Sequence, residues 1–152
     1  MPDLLIRDVQ SSDHDEWATL YAGYREFYRL APDPAIVETV WSWLITGEHT
    51  MRGLLALDET GTVVALANLH TVARPSMGVT ALYLDDLFTA PAARGRGAGA
   101  ALLARAAELA TEGGHALVRW ITASDNATAR RLYDQHAAAT SWVTYDMPPV
   151  RR

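Results

Sequence analysis

The sequence contains no cysteine and no lysine. The first absence removes disulfides, thiolate metal sites and a cysteine nucleophile at once. The second removes the Gly-Lys pair of a P-loop NTPase and leaves arginine to carry all 13 basic side chains. No apolar run approaches the roughly 18 residues of a membrane span. The N-terminus also lacks a basic-then-apolar leader, so a cytoplasmic protein without a membrane partner is expected. Acids outnumber bases to a net charge of −5, which argues against nucleic acid as a partner and leans toward cationic substrates. What is present is an ordinary globular composition, 49% apolar and 20% charged. At 152 residues a single domain over 1–152 with a real core is expected. Arginine without lysine, beside abundant alanine, fits a GC-rich bacterial genome.

The most informative stretch runs from Leu82 to Leu103. An apolar segment carrying Asp85 and Asp86 passes through Pro91 into Arg94-Gly95-Arg96-Gly97-Ala98-Gly99, and an Ala- and Leu-rich helix follows at once. In a strand–glycine loop–helix order, backbone N–H groups and the positive end of the helix dipole converge on one point, which suits a pyrophosphate. Arg94 and Arg96 add fixed positive charge beside it. The spacing is not the Gly-x-Gly-x-x-Gly of a dinucleotide fold. The alternative is that the glycines only ease a tight strand-to-helix turn.

Hydrophobic periodicity supplies the rest of the order. Residues 4–9 read as a strand, 14–30 as a helix and 34–46 as a second helix opened by Pro34 and closed by Gly47. Strands are expected at 53–57, 62–73 and 79–89, with a hairpin turn at Asp58-Glu59-Thr60-Gly61. A helix over 97–111, a strand over 116–122, a helix over 127–138 and a last strand over 141–147 complete the chain. The fold class is therefore α/β (α+β), in the order β-α-α-β-β-β-α-β-α-β.

Arg94-Gly95-Arg96-Gly97-Ala98-Gly99 resembles the Gln/Arg-x-x-Gly-x-Gly/Ala acetyl-CoA loop of the GNAT superfamily of N-acetyltransferases. The resemblance covers nearly the whole chain: Asn126, Ala129, Leu132 and Tyr133 match the family's Asn-x-x-Ala-x-x-Leu/Phe-Tyr helix. Tyr83-Leu84-Asp85-Asp86-Leu87-Phe88 is similar to a strand of the spermidine/spermine-type and histone-type relatives. It implies a central mixed twisted sheet flanked by helices, acetyl-CoA as cofactor and a homodimer, to which Trp142–Tyr145 would contribute. Two positions depart from the pattern, Thr89 where valine is common and Ala137-Ala138-Ala139 where glycine is usual.

Acetyl transfer to an amine needs a held cofactor, a neutral amine, a stabilised oxyanion and a proton for the leaving thiolate. The resemblance assigns the cofactor to Leu87, Phe88, Thr89, Arg94, Gly95, Arg96, Gly97, Ala98, Gly99, Ala100 and Asn126, with the Leu87 N–H as oxyanion donor. Asn126 reads equally well as a plain helix cap. Tyr133 is the expected general acid, a phenol of pKa about 10 facing a thiolate of similar basicity. Asp85 and Asp86 are the base candidates, and the resemblance puts the catalytic carboxylate at Asp85, which would attract the ammonium and pass its proton through water. Strand alternation sends Asp86 to the other face unless a bulge intervenes, which gives it a structural role. Tyr24, Phe27 and Tyr28 either wall the acceptor pocket by cation–π contact or belong to the core, whereas Trp17, Tyr21 and Trp41 read as core. His70, His115 and His136 lack metal-ligand spacing, so no metal is expected.

The expected function is an acetyl-CoA-dependent N-acetyltransferase acting on a small primary amine: a polyamine, an amino acid or an amine-bearing antibiotic. Protein lysine or N-terminal acetylation, and a non-catalytic acyl-CoA-binding domain, are the alternatives.

Overall fold

Near-continuous apolar runs in the central strands build one five-stranded sheet in the computed structural model, which describes residues 3–151. The strands are β1 (Leu5–Asp8), β2 (Arg52–Leu57), β3 (Val63–Arg74), β4 (Val79–Thr89) and β5 (Val118–Arg119), in spatial order β1-β2-β3-β4-β5. The first four are antiparallel neighbours, and β5 runs parallel to β4. The helices are α1 (His14–Phe27), α2 (Pro34–Thr46), α3 (Ala98–Glu112) and α4 (Ala127–Tyr133). The result is an α+β arrangement in which α1, α2 and α3 flank a mixed sheet. The chain forms two compact units, one ending at Ile121 and one beginning at Thr122.

In the first unit, one sheet face lies under α1 and α2. Trp17, Leu20, Tyr21, Val40 and Leu44 bury there against Leu55, Leu57, Leu66 and Phe88. Gly23 permits the close approach, because a Cβ there would meet the Phe88 ring at 3.3 Å. The other face is covered by α3, whose Leu102, Leu103, Ala106, Leu109 and Ala110 are all buried. Burying each leucine contributes about 1.5–3 kcal/mol, so α3 is held by its face and not by intrinsic propensity alone.

Caps fix the helix ends near their expected positions, with one difference. The Asp33 side chain accepts from the N–H groups of Ala35 and Ile36 to start α2, and Gly47 at φ 73° ends it. α1 stops at Phe27, short of the expected 30. Arg29 takes φ 58°, the Arg29 N–H donates to the Glu26 carbonyl, and the Leu30 N–H donates to that of Arg25. This paired closure is the usual left-handed helix stop, built here on a non-glycine residue.

Three expectations fail toward the C-terminus. The strand over 116–122 shrinks to Val118 and Arg119, which pair with Leu82 and Tyr83 before the ladder ends. The helix over 127–138 ends at Tyr133, because Asp134-Gln135-His136 offers no apolar face and the chain tightens into i→i+3 bonds from Gln135 and His136. The last strand over 141–147 does not form. Trp142, Val143 and Tyr145 have strand-forming side chains but no strand partner among the described residues, and they are 82%, 74% and 90% exposed. Propensity without a neighbouring edge makes no ladder.

Candidate active site

A bulge in β4 organises the site. Asn68 of β3 faces Asp86 and the next residue, Leu69, faces Leu84, so Asp85 is the extra residue. Asn68 and His70, two apart on β3, point to the α1 side of the sheet. Asn68 Nδ2 donates to Asp86 Oδ2 at 2.9 Å, and Asp85 Oδ2 lies 2.5 Å from His70 Nδ1. Both carboxylates therefore stand on one face, where simple alternation would have separated them.

α1 closes over this pair. Trp17, Tyr21 and Tyr24 recur at helical spacing on its inner face, Trp17 stacked on Tyr21 at 4.9 Å and Tyr21 on Tyr24 at 5.4 Å. The Tyr21 hydroxyl donates to Asp86 Oδ2 at 3.1 Å. Burial, together with the negative charge of Asp86, pushes the Tyr21 and Tyr24 phenols well above their usual range. Neither is a useful proton donor at neutral pH. Burial also raises the Asp85 carboxyl, opposed by its bond to His70 and assisted by repulsion from Asp86.

Sequence reading took Tyr21 for core alone and missed Asn68 and His70. The available signal was two polar side chains at alternate positions inside the apolar run Val63–Val72. Asn68 is fully buried, and its Oδ1 has no hydrogen-bond partner among the described residues. Such a group raises the stakes of the cluster, because an unsatisfied buried acceptor costs about 1–3 kcal/mol.

Beyond the bulge, the outer side of β4 has no strand pairing among the described residues, since β5 pairs only with Leu82 and Tyr83. The Ala90 N–H donates to the Val64 carbonyl at 2.8 Å on the β3 side. By antiparallel alternation, Phe88 also turns its backbone to β3, while Leu87 and Thr89 turn theirs to the free edge. Phe88 instead contributes a buried ring beneath α1. The edge leads through the turn Pro91–Ala93 into the glycine loop.

Gly95 and Gly97 take φ 81° and 84°, and a Cβ on either would meet nothing within 4 Å, so the loop is left-handed and open-faced. Gly97 is the N-cap of the 15-residue α3 and supplies no side-chain cap. The first helical bond is from the Ala101 N–H to the Gly97 carbonyl. The N–H groups of Ala98, Gly99 and Ala100 precede it and are free to point at an anion. The residues present thus fit a phosphate-bearing cofactor. Arg94 has its guanidinium over the Phe27 and Phe88 rings at 5.2 and 5.5 Å, and its Nε donates to the Thr89 carbonyl at 3.3 Å. It joins the loop to the end of α1, where Phe27 and Tyr28 are 52% and 43% exposed.

Asn126 and Tyr133 belong to the second unit. Asn126 is the N-cap of α4, its Oδ1 accepting from the Ala129 N–H at 3.3 Å. Tyr133 is the last residue of that helix and is half-buried. A cavity of about 400 Å³ at the far end of α3, lined by Arg52, His70, Glu112 and His115 among others, shares His70 with the site and contains none of the residues expected from the sequence.

An anion-holding loop, a free strand edge and a carboxylate pair in sequence along one strand are the layout of an acyltransferase fed by a phosphate-bearing thioester. The chain matches the Acetyltransferase (GNAT) family over residues 15–137, and it belongs to that family as an N-acetyltransferase family enzyme. It is 33% identical over 132 residues to the uncharacterized N-acetyltransferase YhfO of Bacillus subtilis, covering 86% of this chain and 87% of that one. It is 27% identical over 143 residues to a D-amino-acid N-acetyltransferase of Saccharomyces cerevisiae, covering 93% and 89% of the two chains. A crystal structure of a probable acetyltransferase superposes with a TM-score of 0.85 over 97% of this chain and 99% of that one, at 22% identity. That last likeness concerns the fold. Among the described residues no helix is long and apolar enough to cross a membrane.

Proposed function

We propose that this chain transfers the acetyl group of acetyl-CoA to the primary amine of a small cationic molecule. The observation that carries the reading is the bulge at Asp85, which sets two carboxylates on one face immediately before the open edge and the glycine loop. When bound, the cofactor supplies an activated acetyl group and a thiol as leaving group. The N–H groups around Gly95–Ala100, with Arg94 and Arg96, hold its pyrophosphate. The outward backbone of Leu87 and Thr89 pairs with its extended arm, and the Leu87 N–H stabilises negative charge developing on the acetyl oxygen.

Asp85 and Asp86 draw the ammonium of the acceptor, and Tyr24, Phe27 and Tyr28 offer aromatic faces to its cation. The amine's proton leaves on the Asp85 side of the site. Tyr133 returns a proton to the leaving thiolate; Tyr21 and Tyr24 are held on the Asp86 carboxylate and are poor donors. Asn126 orders the start of the helix that carries Tyr133. The reaction belongs in the cytoplasm, where its donor is made. A homodimer that covers Trp142, Val143 and Tyr145 is part of the same reading, and light scattering giving a monomer mass would remove it.

The experiment is CoA release from acetyl-CoA with spermidine, D- and L-phenylalanine and neomycin, read with a thiol reagent. The protein has no cysteine to add background. D-amino acids are included because the yeast relative is named for them. Turnover with one amine class is expected. Acetyl-CoA that neither binds by calorimetry nor is consumed would overturn the proposal.

A further inference from the structure

His70 interrupts the apolar run of β3 and stands against Asp85. A ring nitrogen and a carboxylate oxygen 2.5 Å apart must share a proton. With the carboxylate as acceptor, Nδ1 carries that proton and Nε2 is left with the lone pair. The pair is not a surface accident: the side chains of His70 and Asp85 are only 27% and 30% exposed. The bulge exists at Asp85 itself, and it turns that carboxylate onto the histidine's face. A carboxylate on Nδ1 with Nε2 free is how a histidine base is oriented elsewhere in acid–base catalysis.

Chemistry favours the imidazole as the group that receives the proton. An acceptor ammonium has a pKa of about 10, an ordinary carboxylate about 4 and an imidazole about 6.5, and proton transfer is most effective when the base titrates near the working pH. We propose that His70 Nε2, directly or across one water, takes the proton of the acceptor amine, and that Asp85 is its positioning residue. An N–H bond of the ammonium breaks, its electron pair stays on the amine nitrogen, and the proton binds Nε2. The resulting imidazolium faces Asp85 and later loses the same proton to solvent. This deepens the proposed function and rests on it.

The groups around the pair carry both signs, and the charge next to Asp85 is negative. Asp86 adds negative charge from β4 and Tyr83 presents its ring 5.5 Å from that of His70. Tyr21 and Tyr24 face it from α1 as neutral phenols, and Arg119 on β5 lies beside Tyr83. Arg52, Glu112 and His115 share with His70 the cavity at the far end of α3.

The test compares pH profiles of kcat/KM for the wild type, His70→Asn and Asp85→Asn, using the fastest amine of the panel. Asparagine places an amide nitrogen where Nδ1 was, so it keeps the bond to Asp85 and removes only Nε2. His70→Asn should lose on the order of 10²-fold in kcat/KM, lose the acidic limb of the profile, and recover activity with added imidazole. Asp85→Asn should lower the plateau and keep the limb. The reverse pattern, with the limb lost in Asp85→Asn and kept in His70→Asn, overturns the proposal. A second reading needs no turnover: 15N spectra of the ring, assigned with His70→Asn, should show the Nδ1–H tautomer in the resting protein. An Nε2–H tautomer overturns the proposal even if the enzyme is active. An enzyme with no turnover but an Nδ1–H ring refutes the function and keeps the dyad.

Discussion

With neither lysine nor cysteine in the chain, tyrosines are the only side chains that ordinarily titrate between about pH 9 and about pH 11. That makes the cluster under α1 open to a clean measurement. Tyr21 and Tyr24 are held neutral in the folded protein by burial and by the charge of Asp86. Their folded pKa values lie above the unfolded value, so the stability they contribute is complete below the unfolded pKa of about 10 and is lost progressively as pH rises from there toward the folded pKa. The unfolded chain sheds a proton that the native chain keeps. For a phenol that stays protonated throughout, the loss between about pH 9 and about pH 11 is about 1.4 kcal/mol, and for two it is about 3 kcal/mol. Urea unfolding of the wild type at the two pH values should show at least that fall. Tyr21→Phe should be less stable than wild type at neutral pH, since it loses a bond to a charged acceptor worth about 1.5–3 kcal/mol, and Tyr24→Phe makes the parallel variant. Each should also shrink the alkaline fall by about 1.4 kcal/mol. Absorbance of the tyrosinate band should show two phenols that ionise only on unfolding. If all six tyrosines titrate together near pH 10 in the folded protein, the cluster is not as described.

Gly97→Ala puts a side chain at φ 84°, so α3 should lose roughly 1 kcal/mol, and acetyl-CoA affinity by calorimetry should fall because the cradle moves. Unchanged affinity would detach the loop from the cofactor. Arg29→Gly relieves the left-handed stop of α1, where Arg29 sits at φ 58°; a rise of roughly 1 kcal/mol in unfolding free energy is expected, and a fall would mean the arginine side chain matters more than its backbone. Tyr133→Phe should reduce kcat about 10²-fold and leave acetyl-CoA binding intact, and full turnover would remove Tyr133 as the acid.

Much of the fold was legible because it rests on local chemistry. β4 is found over the expected 79–89, and Pro34 and Gly47 bracket α2 as their conformational limits dictate. The glycine loop was legible for the same reason, since a left-handed backbone at Gly95 and Gly97 demands glycine. The C-terminal strand was not. Trp142, Val143 and Tyr145 have the right side chains, but a strand is a pairwise object and its partner is not written in its own residues.

The carboxylate cluster failed to show for a related reason. Alternation is a rule about a regular strand, and it parted Asp85 from Asp86. One unmatched residue in the β3–β4 register overturned that rule and joined both to Asn68, His70 and Tyr21. The register is set by where Leu69 and Leu84 pack on one face and Leu66 and Phe88 on the other. Those two apolar faces fall out of step by one residue, and the bulge takes up the difference. The grouping of these side chains is thus a consequence of core packing on both sides of the sheet. A substitution that restored regular pairing at Asp85 would separate the two carboxylates without touching either one.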